Sequence, residues 1–440
     1  MREEKHMSGM HLLALEQVER ALTYINRHYP NIPWVIAFSG GKDSTLLLHL
    51  IIDFLSKHKE SCTCDCIYIL YNDTLGEIPF LRELALITGT KAREYIEDMG
   101  YDASFIRTEP TIVDTFYWRM IIRGYPVPNY KFRWCVMLLK ILPTRKALRI
   151  IIKEYDEKKP IVLLVGTRED ESKWRSGALK KRGRSVATAD PMNVIESHLL
   201  ETDLRNVIKI APLRFLREEH VWRLLERLTP PWADASIIRE FNGYAILRAL
   251  YFSSDELAER YRTHARFGCW YCTVSKKHFG LLAAIDAAKQ IKTSLIDIGS
   301  PEHLKALLSA RELLMCISNT PKLRQVKRRG YSRLGPLNDV GKALVLNVFR
   351  VIDNITNRRL LYGLALKTPV HGISLRDLLF KVNAEKAYDI IVSLDGSERA
   401  RNVKIELLRD DVWALKELKK LDRDAFNRIN RMLMRLQSFV

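Results

Sequence analysis

No stretch of the 440 residues approaches the about eighteen apolar residues that a membrane-spanning helix needs. The first ten residues, MREEKHMSGM, carry charges of both signs and lack the apolar core of a secretory leader. These absences lead us to expect a cytoplasmic protein with no membrane partner. The seven cysteines are odd in number and fall at 62, 64, 66, 135, 269, 272 and 316, which disfavours a disulfide framework and makes metal ligation the first alternative. Internal repeats and low-complexity segments are absent, and nothing in the composition suggests disorder. Acidic residues are the scarce charge. Against 71 Lys and Arg there are 52 Asp and Glu, leaving +19, which favours a polyanionic partner through counterion release. The length predicts two or three domains.

What is present is organised around Trp34 to Leu50, WVIAFSGGKDSTLLLHL. Val35 to Phe38 suits a short buried strand and Thr45 to Leu55 a helix packed on a sheet, so Ser39-Gly40-Gly41-Lys42-Asp43-Ser44 is a strand-to-helix turn. Such a turn suits anions. Its glycines permit a close backbone approach, the helix start presents free N–H groups, and Ser39, Ser44 and Lys42 add donors. It is not a Walker A loop, which places four residues between its first glycine and Gly-Lys-Ser/Thr. It looks like the SGGxDS PP-loop of the N-type ATP pyrophosphatases, which grips the pyrophosphate end of ATP while the α-phosphate is attacked.

Along the chain, residues 8 to 28 read as an amphipathic helix ended by Pro30 and Pro33. A second strand, Cys66 to Tyr71, leads to Asn72-Asp73-Thr74. Polar residues past the carboxyl end of a parallel strand lie at the ligand edge of an open sheet, so Asp73 and Thr74 are candidates for the nucleotide or its Mg²⁺. Cys62, Cys64 and Cys66 have period two and would share one strand face, where they could bind metal, although Cys66 also suits a buried strand as a small hydrophobe. Residues 81 to 97 predict a helix and 101 to 108 a short strand or loop. Gly124, Pro126 and Pro128 interrupt any helix over 123–129, which puts Cys135 where a loop returns to helix. PIVLLV at 160 to 165 is a further buried strand. After it come Gly166, which lets backbone approach a phosphate, and Arg168 and Arg175, which can fork phosphate oxygens. Pro212 to Leu225 opens a helix, and from there to about 320 the pattern is helical apart from the break at 266–273. Cys269 and Cys272 form a Cys-x-x-Cys pair whose sulfurs can face one metal centre, with Cys135 as a third thiolate. A short basic loop covers 179–184, and Lys322, Arg324, Lys327, Arg328, Arg329 and Arg333 cluster around Tyr331 as a candidate contact for a phosphate backbone.

The blocks SGGKDS, NDTLGE, RGYPVP with FRWC and LKILP, GTREDES with Arg175, APLRFLREEHVW with PPW, and RFGCWYCTV together resemble the DndC-type proteins of DNA phosphorothioation, within the phosphoadenosine phosphosulfate reductase superfamily. The likeness spans about residues 30 to 285. It implies an α/β fold, an open and mostly parallel sheet with helices on both faces (adenine nucleotide alpha hydrolase-like). The C-terminal 120 or so residues match nothing in the family, and their own pattern predicts a helical C-terminal region. The segments expected are an N-terminal helix at 1–30, an ATP pyrophosphatase domain at 31–230, a helical segment with the Cys-x-x-Cys site at 231–320, and a basic, mostly helical domain at 321–440.

The resemblance further implies an ATP- and Mg²⁺-dependent pyrophosphatase with a [4Fe-4S] cluster. Such a protein works with a cysteine desulfurase and other phosphorothioation subunits to replace a non-bridging DNA phosphate oxygen by sulfur, with tRNA as the second choice of acceptor. The PP-loop role then falls on Ser39, Gly40, Gly41, Asp43 and Ser44, and the strand ends add Asp73, Thr74, Gly166 and Arg168 as nucleotide-binding candidates. Catalysis falls on Asp43, Lys42, Arg168 and Arg175, and the cluster on Cys135, Cys269 and Cys272. The family's further cysteine before the Cys-x-x-Cys pair is missing between Pro230 and Gly268. Cys316, one of the 62–66 group or His264 could replace it, and we expect instead an iron without a protein ligand, free to hold sulfide. A sulfonucleotide reductase would need a catalytic cysteine near its C-terminus, and none follows Cys316. A non-catalytic iron–sulfur subunit that binds nucleic acid would have no need of an intact SGGKDS.

Overall fold

The computed structural model describes residues 2–169, 206–233, 244–251, 268–290, 300–326, 334–356 and 361–439. In chain order the elements used below are α1 (Arg2–His28), β1 (Trp34–Phe38), α2 (Lys42–Lys57), β2 (Ile67–Asn72), α3 (Pro79–Asp98), β3 (Ala103–Thr108), α4 (Phe116–Ile121), α5 (Trp134–Val136), α6 (Leu142–Tyr155), β4 (Ile161–Val165), β5 (Val207–Ile210), α7 (Glu218–Arg227), α8 (Ala245–Tyr251), α9 (Phe279–Gln290), α10 (Pro301–Asn319), β6 (Arg324–Val326), β7 (Leu334–Leu337) and α11 (Asp339–Ile355).

The chain divides into two units. The first comprises Met1–Asn72, Leu81–Thr108 and Thr144–Leu250, and the second Asp73–Phe80, Glu109–Pro143 and Tyr251–Val440. The sequential segments expected from the sequence are a different partition, because residues 73–80 and 109–143 pack with the C-terminal half rather than with the strands that flank them in sequence.

The first unit is built on a five-stranded sheet of order β3-β2-β1-β4-β5, with every neighbouring pair parallel. Parallel strands need crossover helices, which cover both faces and demand near-continuous apolar strands. β4 is buried at all five positions, and in β1 Trp34, Val35, Ile36 and Phe38 are buried. On one face Val35, Leu70, Leu163 and Val165 form a core with Ala147, Leu148 and Ile151 of α6. α2 buries Leu46, Leu47, Leu48, Ile51, Ile52 and Leu55 completely, a side-chain set worth about 1.5–3 kcal/mol each. The edge strands are less buried. β3 is mostly half-buried, which is why its sequence read as strand or loop, and the four-residue β5, with Lys209 in it, gave no sequence signal.

β1 connects to β2 and β3 on one side of the sheet while β4 and β5 lie on the other, so the strand order reverses between β1 and β4. A reversal of this kind opens a crevice at the carboxyl ends of the two strands. The six-residue loop follows β1, and Gly166 follows β4.

The second unit is mainly helical. α10 and α11 pack together, and six shorter helices run between Leu375 and Gln437. The antiparallel pair β6–β7 was not expected from the sequence. Phe116 of α4 stacks on Tyr271 with ring centroids 3.4 Å apart, and Trp134, Trp270 and Phe349 complete an aromatic core. No described helix is long and apolar enough to cross a membrane.

Candidate functional site

Two groupings of candidate residues emerge, one in each unit. In the first unit the loop after β1 is closed on itself by its two serines. Ser44 Oγ lies 3.0 Å from Ser39 Oγ, accepts the Ser39 N–H at 3.1 Å and donates to Gly41 O at 3.0 Å. Gly41 is the N-cap of α2 and no side chain caps that end, so the first N–H groups of the helix are presented by the loop backbone alone. Gly40 adopts φ +72°, and a Cβ there would stand 2.6 Å from Cβ of Ala85 on α3. Both facts require glycine at this position.

The charged residues of the loop meet the end of β4. Arg168, 1 % exposed, donates from Nε to Asp43 Oδ1 at 2.6 Å and from Nη1 to Leu216 O at 3.3 Å. The other Asp43 oxygen is 3.0 Å from Lys42 Nζ, which also lies 3.6 Å from Glu218. A Cβ on Gly166 would be 3.0 Å from the Asp43 carbonyl carbon and 3.1 Å from Ser44 N, so β4 runs against the first turn of α2. Glu169 pairs with Arg214 at 2.7 Å. Ser39, Gly40, Gly41, Lys42, Asp43, Ser44, Gly166 and Arg168 are therefore in one network. Beside the loop, Gly40 and Thr45 also line a hollow with Leu84, Thr88, Trp232 and Tyr244, and Tyr244 OH is held by His49 Nδ1 at 2.7 Å. Arg175 and the 179–184 loop lie outside the described residues.

In the second unit Asp73 is fully buried and its Oδ1 accepts the Leu75 N–H at 2.9 Å. Thr74 donates from Oγ1 to Glu77 Oε1 at 2.5 Å and lies 3.1 Å from Cys269 Sγ. The segment is bridged to the Cys-x-x-Cys turn by the pairing of Glu77 with Cys269 and by the Trp270 N–H donated to Gly76 O at 2.8 Å. The structure thus groups Asp73 and Thr74 with the thiols of their own unit. Burial, assisted by the charge of Asp73, pushes Glu77 up to about 7.

Cys135 sits in α5, where the loop returns to helix. Burial pushes its thiol up to about 11, with Cys272 adding to the effect. Burial and Glu77 push Cys269 up to about 12. Lys140 is the counter-charge. Desolvation lowers its pKa, yet Cys269, Glu77, Cys135 and Cys272 together outweigh this and hold it above its ordinary value. The Cys-x-x-Cys turn is pinned from α10 by Arg311, 1 % exposed, which donates to Cys272 O at 2.7 Å, Ser275 O at 2.6 Å and Lys276 O at 3.3 Å. His278 accepts the Leu281 N–H at Nδ1, 3.0 Å, and faces Cys269 O through Nε2 at 2.9 Å, so its ring is the neutral Nε2–H tautomer; burial lowers its pKa.

Three soft donors that act on one lysine charge suit a thiophilic metal group, since metal binding removes the protons that burial otherwise retains. Among the described residues, however, no three His, Cys, Asp or Glu side chains stand as a closed metal-ligand set. Cys316 is half-buried on α10, Cys62, Cys64 and Cys66 belong to the first unit, and His264 lies outside the described residues.

Sequence reasoning passed over Glu77, Lys140 and Arg311. The first two lie inside blocks the sequence had singled out, but their role depends on thiols remote in sequence. Of the basic cluster, Arg324 is folded into the β6–β7 pair, donating to Gly335 O and Ser318 O at 2.6 Å each, which is a structural use rather than the phosphate contact expected. Lys322 remains at the surface, while Lys327, Arg328, Arg329, Tyr331 and Arg333 lie outside the described residues.

Residues 33–274 match the family described as phosphoadenosine phosphosulfate reductase domain. No curated protein matches the chain. Among solved structures, a phosphoadenylyl-sulfate reductase from Candida auris in a phosphate complex is similar at 17% identity and a TM-score of 0.30, over 58% of this chain and 90% of that one.

Proposed function

Because the chain belongs to the phosphoadenosine phosphosulfate reductase domain family, we propose that it splits ATP between the α- and β-phosphates to activate an oxygen for replacement by sulfur, and that the acceptor is a DNA backbone phosphate. The observation that carries this reading is the joining of the SGGKDS loop to Gly166 and Arg168 at the strand-order reversal. A loop of this form offers main-chain N–H groups, two hydroxyls and a lysine to a polyphosphate.

The loop N–H groups and the hydroxyls of Ser39 and Ser44 would hold the β- and γ-phosphates. Lys42 would turn from Asp43 and Glu218 toward the charge that develops on the leaving pyrophosphate. Arg168, already ion-paired to Asp43, holds the carboxylate aimed at the phosphate end, where Mg²⁺ would share the charge. The hollow lined by Leu84, Trp232 and Tyr244 gives the loop an apolar flank.

A non-bridging acceptor oxygen attacks the α-phosphorus, the bond to the bridging oxygen breaks, and pyrophosphate departs. The acceptor oxygen now belongs to AMP, a good leaving group, and sulfur can displace it. Cys135, Cys269 and Cys272 would hold a [4Fe-4S] cluster whose iron would bind sulfide. A cysteine desulfurase, with other modification subunits, would deliver that sulfur as a persulfide, and a thiol reductant would supply the two electrons that bring it to the sulfide level. Arg311 and His278 fix the turn that carries two of those thiols.

A sulfonucleotide reductase fits the family equally, and one assay separates the readings. Pyrophosphate release from ATP is measured anaerobically with DNA, tRNA or adenosine phosphosulfate, in wild type and Asp43→Ala. Release stimulated by DNA and lost in the variant is expected. Stimulation by tRNA alone would move the acceptor to RNA, and turnover of adenosine phosphosulfate without release would make the protein a reductase.

A further inference from the structure

The thiols of Cys62 and Cys64 have no part in the chemistry above. They lie beyond the C-terminus of α2, on the turn that leads into β2, at the end of the helix opposite the SGGKDS loop. The sixteen residues of α2 separate the two features by about 24 Å of helix. The two Sγ atoms are 3.3 Å apart and both residues are half-buried, so the pair is reachable from solvent.

The turn is held in place at the residue between the two cysteines. Thr63 N–H donates to Asn26 Oδ1 at 2.7 Å, Thr63 Oγ1 donates to Asn26 O at 3.0 Å, and Thr63 O accepts the Asn31 N–H at 2.7 Å. Asn26 Nδ2 also holds Ser61 O at 2.9 Å, and Cys62 N–H bonds His58 O at 2.7 Å. With the backbone fixed on both sides, the two thiols are kept side by side. A disulfide needs about 2.05 Å between sulfurs, so rotation about the Cα–Cβ bonds has only a little over 1 Å to close.

We propose that Cys62 and Cys64 form a dithiol site that reacts with low-molecular-weight disulfides, Cys62 attacking first and Cys64 closing an internal Cys62–Cys64 disulfide.

The local charges assign the order. The Sγ–Sγ hydrogen bond between Cys62 and Cys64 draws the Cys62 thiol down to about 7 against the effect of burial, with Tyr101 and His58 assisting. The same hydrogen bond, together with burial, raises Cys64. The groups that face the pair are Tyr101, from the loop after α3, His58, itself paired with Glu19 of α1, and Cys66. Cys66 is buried at the start of β2, and no third ligand completes a metal set there among the described residues.

In the first step the Cys62 thiolate attacks one sulfur of the small disulfide, that S–S bond breaks, and one small thiolate leaves. In the second, Cys64 gives up its proton and attacks the Cys62 sulfur. The mixed disulfide breaks and the second small thiol leaves with a proton. Two protein thiols are oxidised by two electrons in all, and the small disulfide is reduced to two thiols.

The test uses the full chain with glutathione disulfide at pH 7 under anaerobic conditions, each cysteine being followed by peptide mass spectrometry. A thiol held below its ordinary range carries more thiolate at that pH than an ordinary cysteine, so Cys62 is expected to be the first of the two to react. Wild type is expected to lose two hydrogens across residues 62–64 with no retained glutathione. C64S should stop at a glutathione adduct on Cys62, and C62S should leave Cys64 unmodified over the same time. A stable adduct on wild type that does not close, or Cys64 in C62S reacting as fast as Cys62 in C64S, overturns the proposal. The wild-type measurement decides ring closure with no variant at all.

Discussion

Replacing Gly40 by alanine probes the contact that shapes the SGGKDS loop. At φ +72° an L-residue costs about 1–2 kcal/mol. The new Cβ, 2.6 Å from Cβ of Ala85, adds an overpacking penalty of about 1–3 kcal/mol, because both atoms are on backbone that cannot rotate away. Gly40→Ala should therefore destabilise the first unit by about 2–5 kcal/mol. Ala85→Gly alone costs about 1 kcal/mol of helix propensity. In the double variant the nearest neighbour of the new Cβ becomes the residue 85 Cα at 3.3 Å, so most of the clash disappears while the φ penalty stays. The double variant is expected at about 2–3 kcal/mol, with a favourable coupling of about 1–3 kcal/mol. Hydrogen exchange of the β1 amides reads the opening free energy of the sheet directly. Strict additivity of the two substitutions would refute the close packing of α3 on the loop.

Arg311→Met leaves the carbonyls of Cys272, Ser275 and Lys276 without their donor and should cost about 3 kcal/mol, with faster alkylation of Cys272 as the local readout. Unchanged stability and unchanged Cys272 reactivity would show that the turn is held by something else. Asp395 is a second test in the same unit. Its side chain is fully buried and accepts from Trp118 Nε1 and from Arg123, and although burial opposes them these bonds hold its carboxyl below the ordinary range. A depressed folded-state pKa stabilises above the unfolded value of about 3.9 and is lost as pH falls through the folded one. Asp395→Asn should thus cost about 3–5 kcal/mol at pH 7, with the gap to wild type closing below pH 4, in urea unfolding at both pH values.

The legible part of the fold is the part that burial dictates. β1 and β4 are covered on both faces and α2 is buried along most of its length, so their apolar runs have no alternative, while the loop is legible because Gly40 and Gly41 answer to local backbone constraints. β5 and β3 sit at sheet edges, where the apolar requirement relaxes and a Lys209 is tolerated. The second unit was harder to read because its candidate site is assembled from remote residues. Glu77 meets Cys269 across 192 positions and Arg311 meets Cys272 across 39, distances that no periodicity encodes. Arg324 shows the converse, a residue whose charge suggested a surface contact and whose guanidinium is used on two carbonyls instead.

On the proposed function, ATP is cleaved between its α- and β-phosphates at the network of Ser39, Lys42, Asp43, Ser44 and Arg168. Product analysis of ATP turned over by the full chain with DNA present tests it most directly. AMP equivalents and pyrophosphate in equal amounts, both lost in Asp43→Ala, are the expected result. ADP and inorganic phosphate as products, or cleavage that survives Asp43→Ala, would contradict it.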